Sequence, residues 1–225
     1  MNYLQRTVTK PDVGLGLSED WNEFVTIEGS ILTAAKGDEI KTMFITSCNE
    51  GDGKSVTTSA MAMALTQGSI NRVLLIDGNL ARPRLHEMLH LDSTPGLTDL
   101  LFGHAKVEDV IKMTAIPNLF CMPAGETDVD PVSFFRSPFF AYMLDKLQKK
   151  FDYIIFDGPD YMGRSESPFL ATVFDGVILV VSYQDTRWKV AKIVKDRIND
   201  VGGRVIGAVL NRRRYIIPES LYGVL

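Results

Sequence analysis

Short apolar runs recur along the chain: MFITS (43–47), VLLID (73–77), NLFCM (118–122), YIIFD (153–157), GVILVV (176–181) and VIGAVL (205–210). Several are apolar at every position instead of alternating with polar residues. That is the pattern of strands buried on both faces. Stretches with helical periodicity separate most of them, at 54–67, 132–149, 166–173 and 187–200. Strands alternating with helices predict βαβ units, hence an α/β fold with a doubly wound, mostly parallel sheet flanked by helices. Ahead of the first strand, Phe24, Ile27, Ile31 and Leu32 space a further helix face between Trp21 and Ala35. Residues 1–20 mix Pro, Gly and polar residues without a period and are expected to form a flexible arm. Residues 21–225 are then one domain with a short C-terminal tail.

Composition narrows the function classes. A chain of 225 residues with 45% apolar content can bury one α/β core without disulfides or metals. Two cysteines, Cys48 and Cys121, are too few for a disulfide framework and are expected to be reduced thiols. The net charge of −4 argues against general nucleic-acid binding. No apolar run approaches the roughly 18 residues of a membrane span, and no signal-peptide pattern opens the chain. The expectation is a cytoplasmic domain.

In a doubly wound sheet, ligands bind beyond the carboxyl ends of the strands. The residues directly after each strand therefore carry the functional information. MFITS is followed by CNEGDGKS and then by the helical stretch SVTTSAMAMALTQ. Strand, glycine-bearing loop and helix form the setting of a phosphate-binding loop, G-x-x-x-x-G-K-[ST]. Gly51 and Gly53 let successive N–H groups point into one hollow. The helix N-terminus adds the positive end of its dipole. Lys54 reaches the outer phosphates, and the Ser55 hydroxyl is a ligand for Mg2+. Cys48 stands where the pattern asks for its first glycine. Glu50 and Asp52 are compatible with an anion if backbone amides, and not these side chains, face it. The structural alternative is a strand–helix turn with a surface lysine.

VLLID ends at Asp77 and YIIFD at Asp157, each followed by glycine on the edge where the loop lies. A carboxylate there holds Mg2+, directly or through water, or takes a proton from a nucleophile. The alternative is an Asp-Gly turn. Asn211, at the end of VIGAVL, is a candidate base contact or a turn asparagine. His86, His90 and His104 have no metal-ligand company and read as structural. Phe134, Phe135, Phe139, Phe140 and Tyr142 read as core and helix packing. Tyr161 and Arg164 follow the second strand-end acid by position alone. Arg212, Arg213 and Arg214 with Tyr215, Ile216 and Ile217 read as a solvated basic turn after the last strand, the alternative being a contact for an anionic membrane surface or a partner's tail.

Taken in order, these motifs resemble the bacterial tyrosine kinases of capsule and exopolysaccharide synthesis. Those kinases sit within a group of P-loop ATPases that includes septum-placing and partition ATPases. The family's loop P-G-E-G-K-S-T corresponds to Glu50, Gly51, Asp52, Gly53, Lys54, Ser55 and Val56. Its V-L-L-I-D-x-D-x-R-x-P-x-x-H corresponds to VLLIDGNLARPRLH, and its Y-D-Y-I-I-x-D-x-P to FDYIIFDGP. GLTDLLFG (96–103), PAGETDVDPVSFFRSP, DGVILVVSYQDT and GAVLN follow the family order, so the likeness spans about residues 21 to 211.

The resemblance implies a P-loop NTPase fold, ATP and Mg2+ as cofactors, and phosphoryl transfer to tyrosine. It implies that Lys54 and Ser55 bind phosphates and Mg2+, and that Asp77 is the base for the attacking hydroxyl. Asp157 then serves Mg2+ through its second shell, and Asn211 contacts adenine. It also implies a membrane-spanning polysaccharide co-polymerase of the chain-length-determinant kind as partner, a homo-oligomer, and a place at the inner membrane through that partner.

Departures stand beside the likeness. The second aspartate of the family motif is Asn79, and its arginine is Ala81. The ring-forming E-x-x-R-x-x-R has no counterpart in WNEFVTIEGSIL, and the tail holds only Tyr215 and Tyr222. These favour, as an alternative, an ATP-responsive adaptor of the assembly machinery with impaired catalysis. A second alternative, a positioning ATPase, is opposed by Asn49, which stands where those ATPases carry an extra lysine.

Overall fold

A computed structural model describes residues 40–66, 70–126 and 128–212. The segment 21–35, the arm before it and the tyrosines of the tail lie outside the described residues. Six parallel strands carry the domain: β1 (Thr42–Ser47), β2 (Val73–Asp77), β4 (Leu119–Met122), β5 (Tyr153–Asp157), β6 (Gly176–Ser182) and β7 (Val205–Asn211). A two-residue strand, β3 (Lys112–Met113), joins β4 in antiparallel sense and gives the order β3-β4-β2-β5-β1-β6-β7.

The all-apolar runs have a direct cause. Alternate residues of each central strand feed two separate cores, because side chains alternate across the sheet. Phe44, Leu74, Ile76, Ile154, Phe156, Val177 and Leu179 join one core. Met43, Ile45, Val73, Leu75, Ile155, Ile178 and Val180 join the other. Helix α1 (Lys54–Thr66) covers the second face through Met61, Ala62, Met63 and Leu65. Three short helices follow β2, namely α2 (Leu85–Met88), α3 (Leu97–Leu101) and α4 (Val107–Val110). Periodicity does not announce them, since four or five residues make barely one turn.

The stretch 132–149, expected as one helix, is two: α5 (Pro131–Phe135) and α6 (Pro138–Gln148). Pro138 has no N–H to continue α5, so the chain restarts there. Asp130 caps α5 by accepting from the Ser133 amide at 3.0 Å, and Ser137 caps α6 by accepting from the Phe140 amide at 3.3 Å. Phe134, Phe135 and Phe140 are core as expected, but Phe139 and Tyr142 are 45% and 56% exposed and lie on the outside of α6. Helices α7 (Ser167–Val173) and α8 (Trp188–Asp200) complete the first face, with Val194 and Ile198 of α8 fully buried.

Two glycines tie the sheet edge to this core. A Cβ on Gly78 would lie 1.9 Å from the Phe156 ring, and one on Gly158 2.0 Å from the Phe44 ring. Those rings pack with Phe174 at centroid separations of 5.0 and 5.8 Å, and lie 6.2 Å from each other. The glycine after each strand-end aspartate is therefore required by the aromatic floor beneath it. Among the described residues no helix is long and apolar enough to cross a membrane.

Candidate phosphate-binding site

Between β1 and α1 the chain must turn sharply at the sheet edge. It does so through Gly51 at φ +86° and Gly53 at φ +91°, a region that L side chains rarely adopt. Gly53 is also required by space, because a Cβ there would fall 1.9 Å from Asn211 Nδ2. The Asn211 amide donates to the Asp52 carbonyl at 2.9 Å, so the end of β7 supports the loop from behind. Asp52 points inward: its carboxylate accepts from the Asn49 amide at 2.9 Å and from the Thr186 hydroxyl at 3.1 Å. Asn49 Nδ2 in turn donates to the Thr186 hydroxyl at 3.2 Å. Asp52 thus meets the expectation that its charge faces away from the anion side. Glu50 does not, since its carboxylate lines the hollow and pairs with Arg82.

The hollow measures about 480 Å3, within the size range of small-molecule sites. Gly51, Gly53, Lys54, Ser55 and Val56 form one wall, and Asn79, Arg82 and Arg84 the other. Four cationic side chains, Lys54, Arg82, Arg84 and Arg212, face two carboxylates, Glu50 and Glu87. The lining is therefore net positive and suits an anion. Lys54 is 6% exposed and donates to the Ser47 hydroxyl at 3.1 Å. Burial pulls its pKa down, against the raising influence of Asp157, Asp160 and Asp52.

The two strand-end acids stand side by side, because β2 and β5 pair in the register that sets Asp77 against Asp157. Both are fully buried, one layer behind the wall of the hollow. Asp157 accepts from the Ser55 hydroxyl at 2.6 Å and from the Thr58 hydroxyl at 3.0 Å. Asp77 accepts backbone amides from Arg84 and Leu85, each at 2.9 Å, and from Asn79 at 3.3 Å. Asp77 thereby holds the 79–85 loop that makes the second wall. Burial first, and then the Asp157 charge, push Asp77 up to about 8. Burial also raises Asp157, opposed by its Ser55 bond, the Lys54 charge and its Thr58 bond. Burial and mutual repulsion thus oppose two charges side by side in this pair.

Of the residues singled out in the sequence, Glu50, Gly51, Gly53, Lys54, Ser55 and Val56 come together around one space. Asp157 touches it through Ser55, and Asp77 through the loop it holds. Asn211 lies behind the cradle with its amide engaged, where a base contact was expected. Tyr161 is 5% exposed, and neither it nor Arg164 lines the hollow. Thr58, Thr186, Arg82 and Arg84 were not singled out. The signal for the arginines was present, in the ARPR run just after Asp77.

The residues fit a nucleotide with its cation. Positive-φ glycines turn the loop that lines the hollow, a buried lysine lines it too, and hard oxygen donors gather at Ser55 and Asp157. A parallel doubly wound sheet with this loop after its central strand defines a P-loop NTPase fold. No family model matches the sequence. Tyrosine-protein kinase CpsD of Streptococcus agalactiae is 30% identical over 177 residues, covering 78% of this chain and 77% of that protein. The chimerical protein CapA2B2 superposes with a TM-score of 0.83 at 26% identity, over 88% of this chain and 87% of that one. The VpsO kinase domain gives 0.78 at 30% identity, over 84% and 93%. The cell-division ATPase MinD of Pyrococcus furiosus gives 0.65 at 28% identity, over 82% and 78%. The chain belongs to the bacterial tyrosine-kinase family within the MinD-like P-loop ATPases.

Proposed function

We propose that this protein binds ATP with Mg2+ in the hollow at Gly51–Val56 and serves capsule or exopolysaccharide assembly as a tyrosine-kinase-type subunit. The observation that carries the reading is the loop itself. Gly51 and Gly53 hold positive φ, Lys54 is buried at the base, and Ser55 is hydrogen-bonded to Asp157. Bound ATP–Mg2+ would supply the transferable γ-phosphoryl group and a cation to neutralise its charge. Lys54 would hold the outer phosphates by its ammonium. Ser55, with Asp157 behind it, would orient the cation. Asp77 would be the proton acceptor for a tyrosine hydroxyl only after giving up its own proton, which burial and Asp157 make it hold and which a cation at Ser55 would help to release. Three backbone amides occupy that carboxylate, so the base role requires the 79–85 loop to open.

Partner and place follow the family. The relatives named tyrosine-protein kinase CpsD and CapB, together with the likeness to the chimerical protein CapA2B2, support a subunit that works beside a membrane-spanning co-polymerase and lies at the cytoplasmic face. Calorimetric titration with ATP and Mg2+ tests the cradle. Wild type should bind, and Lys54→Ala should lose roughly 100-fold or more in affinity. Labelled ATP with and without the membrane partner tests the chemistry, and absence of phosphotyrosine in both would sink the kinase version.

A second reading is favoured by Asn79, which lines the hollow where a charged acid would assist the cation. In that reading the protein is an ATP-responsive adaptor that binds nucleotide without turnover. A positioning ATPase draws less support. Asn49, at the place of the extra lysine, is tied to Thr186 of its own chain.

A further inference from the structure

We propose that Arg82 is the residue by which this site distinguishes a nucleoside triphosphate from a diphosphate, and that Glu50 competes with the terminal phosphate for it. The proposal rests on the nucleotide reading of the hollow given above. Arg82 and Glu50 belong to loops that follow different strands, β2 and β1. Their ion pair joins the two walls of the hollow, and both side chains line it.

The backbone at Arg82 is anchored in this conformation, and its side chain reaches out into solvent. Asp77 anchors the amides of Asn79, Arg84 and Leu85, and the Arg82 amide donates to the Asn79 carbonyl at 2.9 Å. The Arg82 side chain is 67% exposed and that of Glu50 48% exposed. A guanidinium on a rigid base is therefore free to exchange one anionic partner for another.

The chemistry of the exchange is matched. A guanidinium makes the same forked pair with a carboxylate and with a phosphate oxygen. The amides around Gly51 and Gly53 and the start of α1 serve the inner phosphates, as that loop type does. Lys54 stands deep, against Ser47. Arg82 comes from the opposite wall and so meets the phosphate furthest from the cradle. A diphosphate leaves Arg82 with Glu50. A triphosphate offers a group of higher charge in the same place, and the carboxylate of Glu50 is released to solvent.

The experiment is calorimetric titration of the full chain with ATP–Mg2+ and with ADP–Mg2+. Arg82→Gln is expected to weaken ATP by about 10-fold or more and ADP by less than about 2-fold. Glu50→Gln is expected to tighten ATP by several-fold, roughly the release of one competing surface ion pair, and to leave ADP unchanged. The gain should vanish in the double variant, since both changes act on one pair. Equal loss of both nucleotides in Arg82→Gln, no loss of either, or a weaker ATP complex in Glu50→Gln would overturn this proposal and leave the cradle standing. Wild type that binds neither nucleotide would overturn both.

Discussion

Replacing Asp77 by asparagine should change how stability depends on pH, with a sign fixed by the burial of the acid pair. In the folded protein Asp77 titrates at about 8, raised by burial and by Asp157 beside it. In the unfolded chain it titrates near 4. Between these values the unfolded state has released its proton and the native state has kept it. Stability is then full below about pH 4 and falls as pH rises to about 8, by at most about 1.4 kcal/mol per pH unit. The accumulated loss is roughly 5 kcal/mol as an upper figure. Asparagine cannot ionise and still accepts from Arg84 and Leu85, but it gives up the acceptor facing Asn79, at a cost of about 1 kcal/mol. Asp77→Asn should therefore match wild type or fall slightly below it at pH 5, and exceed it by a few kcal/mol at pH 8.5. Urea unfolding of both proteins across this range, without nucleotide or Mg2+, measures the difference directly. Parallel pH profiles would refute the premise that Asp77 holds a proton in the folded protein.

Three further substitutions probe the edge of the sheet. Gly53→Ala meets both a positive φ and Asn211 at 1.9 Å; we expect a loss of about 2–3 kcal/mol by chemical denaturation, with nucleotide affinity lost as well. Gly158→Ala presses a methyl into the Phe44 ring, and a destabilisation of about 1–3 kcal/mol should appear in thermal unfolding. Asn79→Asp restores a charge to the wall of the hollow; a gain of about 10-fold or more in phosphotyrosine formation would show that chemistry is disabled there, and no gain would favour the adaptor.

The central strands were legible because two-sided burial leaves runs of apolar residues in them, as at Leu74 to Ile76. The phosphate loop was legible because its chemistry is local, spelled within seven residues from Glu50 to Val56. What sequence does not carry is strand order. Nothing in VLLID or YIIFD says that β2 and β5 are neighbours, so the side-by-side acids, and with them the raised pKa of Asp77, came only with the register. The helix 132–149 was misjudged for a physical reason: its apolar period runs on through Pro138, which breaks the backbone but not the pattern. Asn211 and Thr186 are far from the loop in sequence, and their support of Asp52 depends on β6 and β7 closing behind β1. Arg82 sat beside Ala81, where a motif-by-motif reading stops at the missing arginine.

Because the peptides after Asp77 and Asp157 rest directly on Phe156 and Phe44, these two turns of the rim have little give of their own. Ordinary loops fray long before a domain melts, whereas these two share the cooperativity of the interior. Heat or denaturant should leave ligand affinity intact up to the global transition and abolish it there in a single step. Slow loss of fit ahead of melting would have to begin on the Arg82 side.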